Sequence, residues 1–341
     1  MEKRISDRFN DSILQEVMAR YGIRPGNIHL LDGFESFIYE FIKADNDQGG
    51  GEYILRIGHS LRRSIPLIQG EVDWINTLAR GGAGVAGAVV SEAGRLVEVV
   101  PDGQGEAFLA TAFVKAQGRP PRKSDWTPSF YEAYGRLLGR IHAISRTYRP
   151  SSPEFIRPHW DDPENNVHVD RFLPPSEAIA KRHFLALMDH LQALPRDPAG
   201  YGMIHQDAHT GNLFVDDSGR ITLFDFDDCC YGWYMYDIAM VLFYAAPWKG
   251  DVAGFTDTFM RGFLRGYRQE NTLDPQWLRE LPYFLKLREI DLYAVIQRDF
   301  DLENLDHPWV KGYMEGRKER IEAGTPFIDY DFMSLADCLE A

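Results

Sequence analysis

The sequence predicts an α+β fold in two parts: a small antiparallel sheet with one main helix (residues 1–115), then a larger, mostly helical region (116–341). Three observations point there. Short runs rich in β-branched and aromatic residues crowd the first third. Stretches with apolar residues every three to four positions fill the remainder. QGRPPRKSDWTP, at 117–128, is dense in proline and charge, as a connection between lobes is.

Near the start of the chain, Ile13, Val17 and Met18 have helical spacing. HLLDGF, SFIYEFIKA and EYILRI come next as strands, and the glycine-rich DNDQGGGE between the last two reads as a hairpin turn. SIPLIQGEVDWINTLAR (64–80) is a helix with Ile68, Val72, Ile75 and Leu78 on one face. GAVVSEAGRLVEVVPD and EAFLATAFVKA supply three more strands. Beyond the connection, YEAYGRLLGRIHAIS and EAIAKRHFLALMDHLQAL are amphipathic helices. YDIAMVLFYAA, TDTFMRGFLRGYRQ, LPYFLKLREIDLYAVIQRDF and WVKGYMEGRKERIEAG make the tail helical as well.

Composition narrows the function classes. A 44% hydrophobic content over 341 residues is that of a folded chain with a substantial core. The formal net charge of −14 repels nucleic acid phosphates and anionic membrane surfaces, so neither is an expected partner. It favours cationic small molecules, or serves solubility alone. The longest apolar run, Ile238 to Ala246, is too short to span a bilayer, and MEKRISDRFNDS lacks the apolar core of a signal peptide. With three cysteines, two of them adjacent, no disulfide framework is expected, and a reducing cytoplasm fits.

The chemistry concentrates in GMIHQDAHTGNLFV (202–215) and the dozen or so residues after it. His205, Asp207 and His209 suit a zinc site, a phosphotransfer loop or a polar turn. The neighbouring residues decide. Leu213–Val215 and Ile221–Phe224 are short apolar runs around the turn Asp216-Asp217-Ser218-Gly219, so a hairpin returns the chain toward Asn212 at Asp225. An amide oxygen and a carboxylate meeting there form a hard, oxygen-donor site suited to Mg²⁺. Asp207 stands five residues before Asn212, giving His-x-Asp-x-x-x-x-Asn, the catalytic-loop pattern in which the Asp accepts a hydroxyl proton. Zinc would leave Asn212 and Asp225 without a role, and no second histidine cluster exists to complete its shell.

HQDAHTGN followed by Phe224-Asp225-Phe226-Asp227-Asp228, and then Tyr236-Asp237-Ile238-Ala239, resembles the aminoglycoside phosphotransferase and choline kinase superfamily. The resemblance implies a bilobal protein-kinase-like fold, with ATP and Mg²⁺ in the cleft between the lobes. It casts Asp207 as the base and Asn212 and Asp225 as the metal ligands. It also implies a strand cation on the ATP phosphates, Arg56, held by a helix acid, Glu71. Leu31 to Ser36, with its single Gly33, takes the place of the phosphate-covering loop and departs from the Gly-x-Gly-x-x-Gly of protein kinases. Phe113 and Val114 fall in the segment that would meet adenine.

Other residues carry paired readings. Asp227 is a second metal ligand or an exposed loop acid. His205 braces the loop, His209 is undecided, and Asp237 is a helix N-cap or a buried loop anchor. Arg288 and Asp291 on one helix, and Asp299 and Asp301 in the acidic RDFDLENLD after it, could face a cationic substrate; solvated surface is the alternative. The expected activity is transfer of the ATP γ-phosphate to a hydroxyl of a small, amino-bearing or cationic molecule. A bacterial protein Ser/Thr kinase of the same fold, or a non-catalytic ATP-binding relative, are the alternatives. The short distance from Asp225 to Tyr236 leaves little room for a protein-kinase activation segment and favours the small acceptor.

Overall fold

The computed structural model describes residues 3–31, 33, 35–43, 51–162 and 169–340. The hairpin turn expected over 45–52 therefore falls mostly outside the described residues, as do Asp32 and Phe34 of the loop around Gly33. The chain divides into two compact units. The smaller comprises Met1–Arg119, Tyr148–Arg157 and Thr222–Asp227; the larger comprises Pro120–Thr147, Pro158–Ile221 and Asp228–Ala341.

In the smaller unit, helices α1 (Lys3–Ser6) and α2 (Asp11–Arg20) precede the sheet. Asn10 caps α2 by accepting from the Ser12 and Ile13 N–H groups. Strands β1 (Ile28–Leu31), β2 (Phe37–Lys43), β3 (Gly51–His59), β4 (Ala88–Val89), β5 (Glu98–Pro101) and β6 (Ala107–Val114) form one antiparallel sheet in the order β1-β2-β3-β6-β4, with β5 also on β6. Helix α3 (Ile65–Arg80) enters between β3 and β4, capped by Ser64 with Pro66 in its first turn. Ile13, Val17 and Met18 of α2 bury with Phe41, Leu55, Ile57 and Phe108 of the sheet. Ile68 and Val72 of α3 bury with Val97 and Leu109. The apolar periodicities thus became the two sides of a core, burial of each large side chain contributing about 1.5–3 kcal/mol.

The larger unit contains α4 (Pro128–Ser145), α5 (Val169–Phe172), α6 (Ala178–Gln192), β7 (Tyr201–Ile204), β8 (Leu213–Val215), β10 (Cys230–Trp233), α7 (Tyr234–Ala245), α8 (Val252–Arg268), α9 (Leu281–Asp299), α10 (Pro308–Met314) and α11 (Arg317–Glu322); β9 (Ile221–Leu223) begins in it and ends in the smaller unit. Strand β7 pairs antiparallel with β10, and the two flank the sequence motif. Helix α7 packs on α9, and α4 on α8. The α4–α8 crossing is close because it is made through glycine: a Cβ at Gly135 would lie 1.8 Å from the Phe263 carbonyl oxygen, and one at Gly266 would lie 1.9 Å from that of Glu132. WVKGYMEGRKERIEAG does not form one helix. Gly316, at φ 64°, takes the left-handed conformation and divides it into α10 and α11.

Candidate active site

Each unit carries a cluster of charged side chains, and most of the expected site residues belong to one cluster or to its immediate frame.

In the larger unit, β7 ends at Ile204 and the polar loop begins. The loop is hung on Asp237, in the first turn of α7. One Asp237 oxygen accepts the His205 N–H (2.8 Å) and the other the Gln206 N–H (2.7 Å). His142 of α4 touches the same carboxylate through Nε2 at 3.1 Å, and its Nδ1 meets the Tyr267 hydroxyl. Asp237 is fully buried and lies inside α7, so of its two readings the loop anchor is the one the geometry supports. Gln206 stands at φ 68°, a conformation unfavourable for a side chain other than glycine's. Its N–H is on Asp237 and its Oε1 accepts from Cys230 Sγ (2.9 Å), so the surroundings hold it there. His205 is buried, and its Nδ1 accepts the Asp207 N–H. His209 Nδ1 accepts the Gly211 N–H and caps a short 3₁₀ turn ending at Asn212. One ring nitrogen of each histidine is thus already engaged with backbone. Among the described residues no three His, Cys, Asp or Glu side chains form a metal-holding group.

This frame fixes Asp207. Its Oδ2 accepts from Asn212 Nδ2 at 3.0 Å and stands 3.4 Å from His209 Nε2. Its Oδ1 is buried and accepts no hydrogen bond; Arg288 Nη2 of α9 is 3.6 Å away. Burial disfavours the charge, but His209, Arg288 and His205 hold the carboxyl below the usual carboxylate range, leaving an ionised oxygen with one unused face. The Asn212 amide nitrogen also donates to the Asp207 carbonyl, so its oxygen is the atom left to face a ligand.

Arg288 donates to Asp291 Oδ2 (2.8 Å) and through Nε to the Tyr244 hydroxyl (3.1 Å), with its guanidinium 5.4 Å from the Tyr244 ring centroid. Burial raises the Asp291 pKa against the pull of Arg288, and pushes Tyr244 up to about 12. Arg288 and Asp291 therefore gather at the expected base. Asp299 and Asp301 do not: Asp299 is exposed and paired with Arg298, and Asp301 caps a 3₁₀ turn through the Glu303 N–H. Tyr244 was not foreseen in the sequence. It stands seven residues after Asp237 in a largely apolar helix, two turns along the same face, and that spacing is the signal that could have found it. A histidine within the apolar pattern of α4 was the corresponding signal for His142.

In the smaller unit, Arg56 lies on β3 between Ile38 of β2 and Thr111 of β6, not on a sheet edge. It is buried, and its two terminal nitrogens meet the two oxygens of Glu71 on α3 at 2.9 and 2.6 Å, a bidentate pair. Burial works against its charge, but Glu71, Asp227 and Asp225 hold its pKa above the ordinary value. Its guanidinium also lies 5.2 Å from the Phe113 ring centroid. Asp227 is neither open nor solvated: Arg62 Nη2 is at 2.6 Å, Arg63 Nε at 3.4 Å and Arg56 Nη1 at 3.6 Å. Arg157 donates to its carbonyl, and the four arginines hold the carboxyl low against burial. Adjacent arginines directly after a strand, LRRS, were the available clue.

Asp225 is exposed, at φ 63°, and it and Gln206 are the non-glycine residues in the left-handed region among those described. Gly33 is a position without room: a Cβ there would lie 2.3 Å from the Ser36 carbonyl oxygen. Val114 ends β6, and its N–H donates to the Gly87 carbonyl.

A sheet with a buried strand arginine paired to a helix glutamate, and a helical unit with an anchored His-x-Asp-x-x-x-x-Asn loop, define a kinase-like phosphotransferase. The sequence pattern described as "Phosphotransferase enzyme family" matches residues 36–281, and the chain belongs to that family. It is a small-molecule kinase, an O-phosphotransferase. It is 38% identical to the amicoumacin kinase of Bacillus subtilis (strain 168), over 95% of this chain and 96% of that protein. A homoserine kinase of Methylobacterium sp. (strain 4-46) is 30% identical over 44% of this chain and 46% of its own length. Among solved structures, an amicoumacin kinase in complex with AMP-PNP, Ca²⁺ and Ami superposes with a TM-score of 0.91 at 34% identity, covering 98% of this chain and all of that one. A microcompartment-associated aminopropanol kinase, at 23% identity and a TM-score of 0.71 over 92% of this chain and 98% of its own, shares the fold. No helix among the described residues is long and apolar enough to cross a membrane.

Proposed function

We propose that this chain transfers the γ-phosphate of ATP, with Mg²⁺, to a hydroxyl of a small amino-bearing molecule, and that amicoumacin or a compound of its kind is the acceptor. The observation that carries the reading is Asp207 Oδ1: an ionised, buried oxygen with no hydrogen bond, at the centre of an anchored loop. The likeness to amicoumacin kinase over 95% of the chain supports the choice of acceptor. The AMP-PNP and Ca²⁺ held by the solved relative support a nucleoside triphosphate and a divalent cation.

Asp207 takes the proton of the acceptor hydroxyl as its oxygen bonds to the γ-phosphorus. The bond from that phosphorus to the β–γ bridging oxygen breaks, and ADP leaves. Arg56, kept in place by Glu71, holds the phosphates, and Phe113 and Val114 border the adenine. Gly33, where no side chain fits, covers the phosphates. Asn212 and Asp225 would hold Mg²⁺, which when bound neutralises phosphate charge. Asn212 suits that role because its nitrogen is engaged with Asp207 and its oxygen is left over. Asp227, surrounded by arginines, acts as the anchor of the Asp225 segment. Rate arises mainly from positioning and electrostatics, with Asp207 contributing about 10²–10⁴-fold.

The test is Mg²⁺-dependent ADP release with amicoumacin, aminopropanol, homoserine and spectinomycin as acceptors, the product identified by mass spectrometry. Phosphorylation of amicoumacin that Asp207→Asn abolishes is the expected result. Turnover of another acceptor alone would replace the substrate, and retention of full activity in Asp207→Asn would overturn the mechanism.

A further inference from the structure

Asp207 divides its two oxygens unequally. Oδ2 is occupied by Asn212 Nδ2, with His209 close by, whereas Oδ1 accepts nothing. The cation facing Oδ1 is Arg288 Nη2, at 3.6 Å, beyond hydrogen-bond reach. Arg288 is held from two sides. Its Nη1 is on Asp291, its Nε and Nη2 are on the Tyr244 hydroxyl, and its central carbon is 5.4 Å from the Tyr244 ring centroid. The Tyr244 ring also packs against His209, at 4.6 Å between centroids, so the loop and the arginine share one support.

An alcohol donating to Asp207 Oδ1 must place its oxygen about 2.7 Å from it. On the side of Oδ1 that faces Arg288, a molecule at that distance is also within reach of Nη2, 3.6 Å from the same oxygen. A guanidinium offers donors only, in a fixed fork. It hydrogen-bonds a carbonyl, a carboxylate or a second hydroxyl and repels an ammonium. We propose that Arg288 positions the acceptor by binding an oxygen group next to the hydroxyl that Asp207 deprotonates. This rests on the phosphotransferase function proposed for the chain and narrows its substrate class. The acceptor carries a second oxygen function beside its reactive hydroxyl, and its amine lies away from Arg288. Tyr244 and Asp291 act through Arg288 as positioning residues.

The experiment is steady-state kinetics, with MgATP and whichever of amicoumacin, homoserine and spectinomycin the wild type phosphorylates, on Arg288→Gln, Arg288→Lys and Tyr244→Phe; turnover of aminopropanol alone, which has a single oxygen, overturns the inference. One lost charge-assisted hydrogen bond corresponds to about a tenfold to hundredfold rise in acceptor KM. That rise is expected in Arg288→Gln, with a smaller one in Arg288→Lys and Tyr244→Phe, while the KM for ATP stays within about twofold of wild type. Should Arg288→Gln fold poorly, Arg288→Lys, which keeps the charge beside Asp291 but not the fork, gives the decision. Acceptor KM unmoved in the Arg288 variants, or a parallel rise in both KM values, overturns the inference and leaves the phosphotransferase reading standing. No phosphorylation of any acceptor by the wild type overturns both.

Discussion

The two charged clusters use the same chemistry to opposite ends. In the smaller unit, Arg56, Glu71 and Asp227 are closed on one another: both terminal nitrogens of Arg56 are at hydrogen-bond distance from Glu71, and Nη1 also faces Asp227 at 3.6 Å. In the larger unit, Arg288 is just as firmly held by Asp291 and Tyr244, yet the carboxylate of Asp207 beyond it keeps an oxygen unsatisfied. A closed cluster fixes a charge in place. An open one holds a charge ready for something that is not yet there. Burial without a partner is costly, so an unfilled oxygen amid filled ones marks where a ligand belongs.

The largest effect expected from breaking this contrast is on the open side. Asp207→Asn should lower kcat by about 10²–10⁴-fold while thermal stability and ATP binding persist, as calorimetry and nucleotide titration would show. A parallel loss of stability would instead mean that Asp207 is closed and structural.

Glu71→Gln attacks the closed side. Leaving buried Arg56 without its bidentate partner should cost about 3–5 kcal/mol, read from the urea midpoint, and should raise the KM for ATP but not for the acceptor. Stability unchanged from wild type would show that Asp227 suffices to hold Arg56.

Gly135→Ala tests a helix crossing instead of a charged cluster. The added methyl meets the Phe263 carbonyl, so about 1–3 kcal/mol of stability should be lost through overpacking, with KM values unaffected. Altered kinetics there would show that the α4–α8 packing also sets the catalytic loop.

The smallest effect concerns a carboxylate satisfied on all sides. Asp102 accepts the Gln104 and Glu106 N–H groups and the Arg8 guanidinium, which hold its pKa at about 2 despite burial. With the folded value below the unfolded one of about 3.9, its contribution is fully present above about pH 4 and lost as pH falls through 2. Asp102→Asn should flatten the acid side of the stability profile, measured by thermal melts between pH 2 and 5, and leave turnover near neutrality unchanged. A profile equal to wild type would mean the hydrogen bonds contribute nothing.

Much of this was legible in the sequence. The apolar periods of α2, α3 and α4 and the strand runs before residue 115 are local patterns, and each formed the element its period dictates. The expectation of one long helix near residue 316 failed because a single glycine at positive φ outweighed the apolar spacing around it. His205, Asp207 and Asn212 share one short segment, so their spacing announced the loop.

What the sequence by itself determined, then, is the kind of element at each position and the chemistry of one contiguous loop, because both depend on neighbours a few residues apart. Only the tertiary structure decided which distant charges meet. That Arg288, held by Asp291 on its own helix, comes within 3.6 Å of Asp207 depends on how α9 packs. That Asp237 suspends the loop, and that Asp227 is enclosed by Arg56, Arg62 and Arg63, likewise depends on packing. A charge's partners are set by the crossing of whole elements, and hydrophobic burial along their full length fixes those crossings with no local signature at the charge itself.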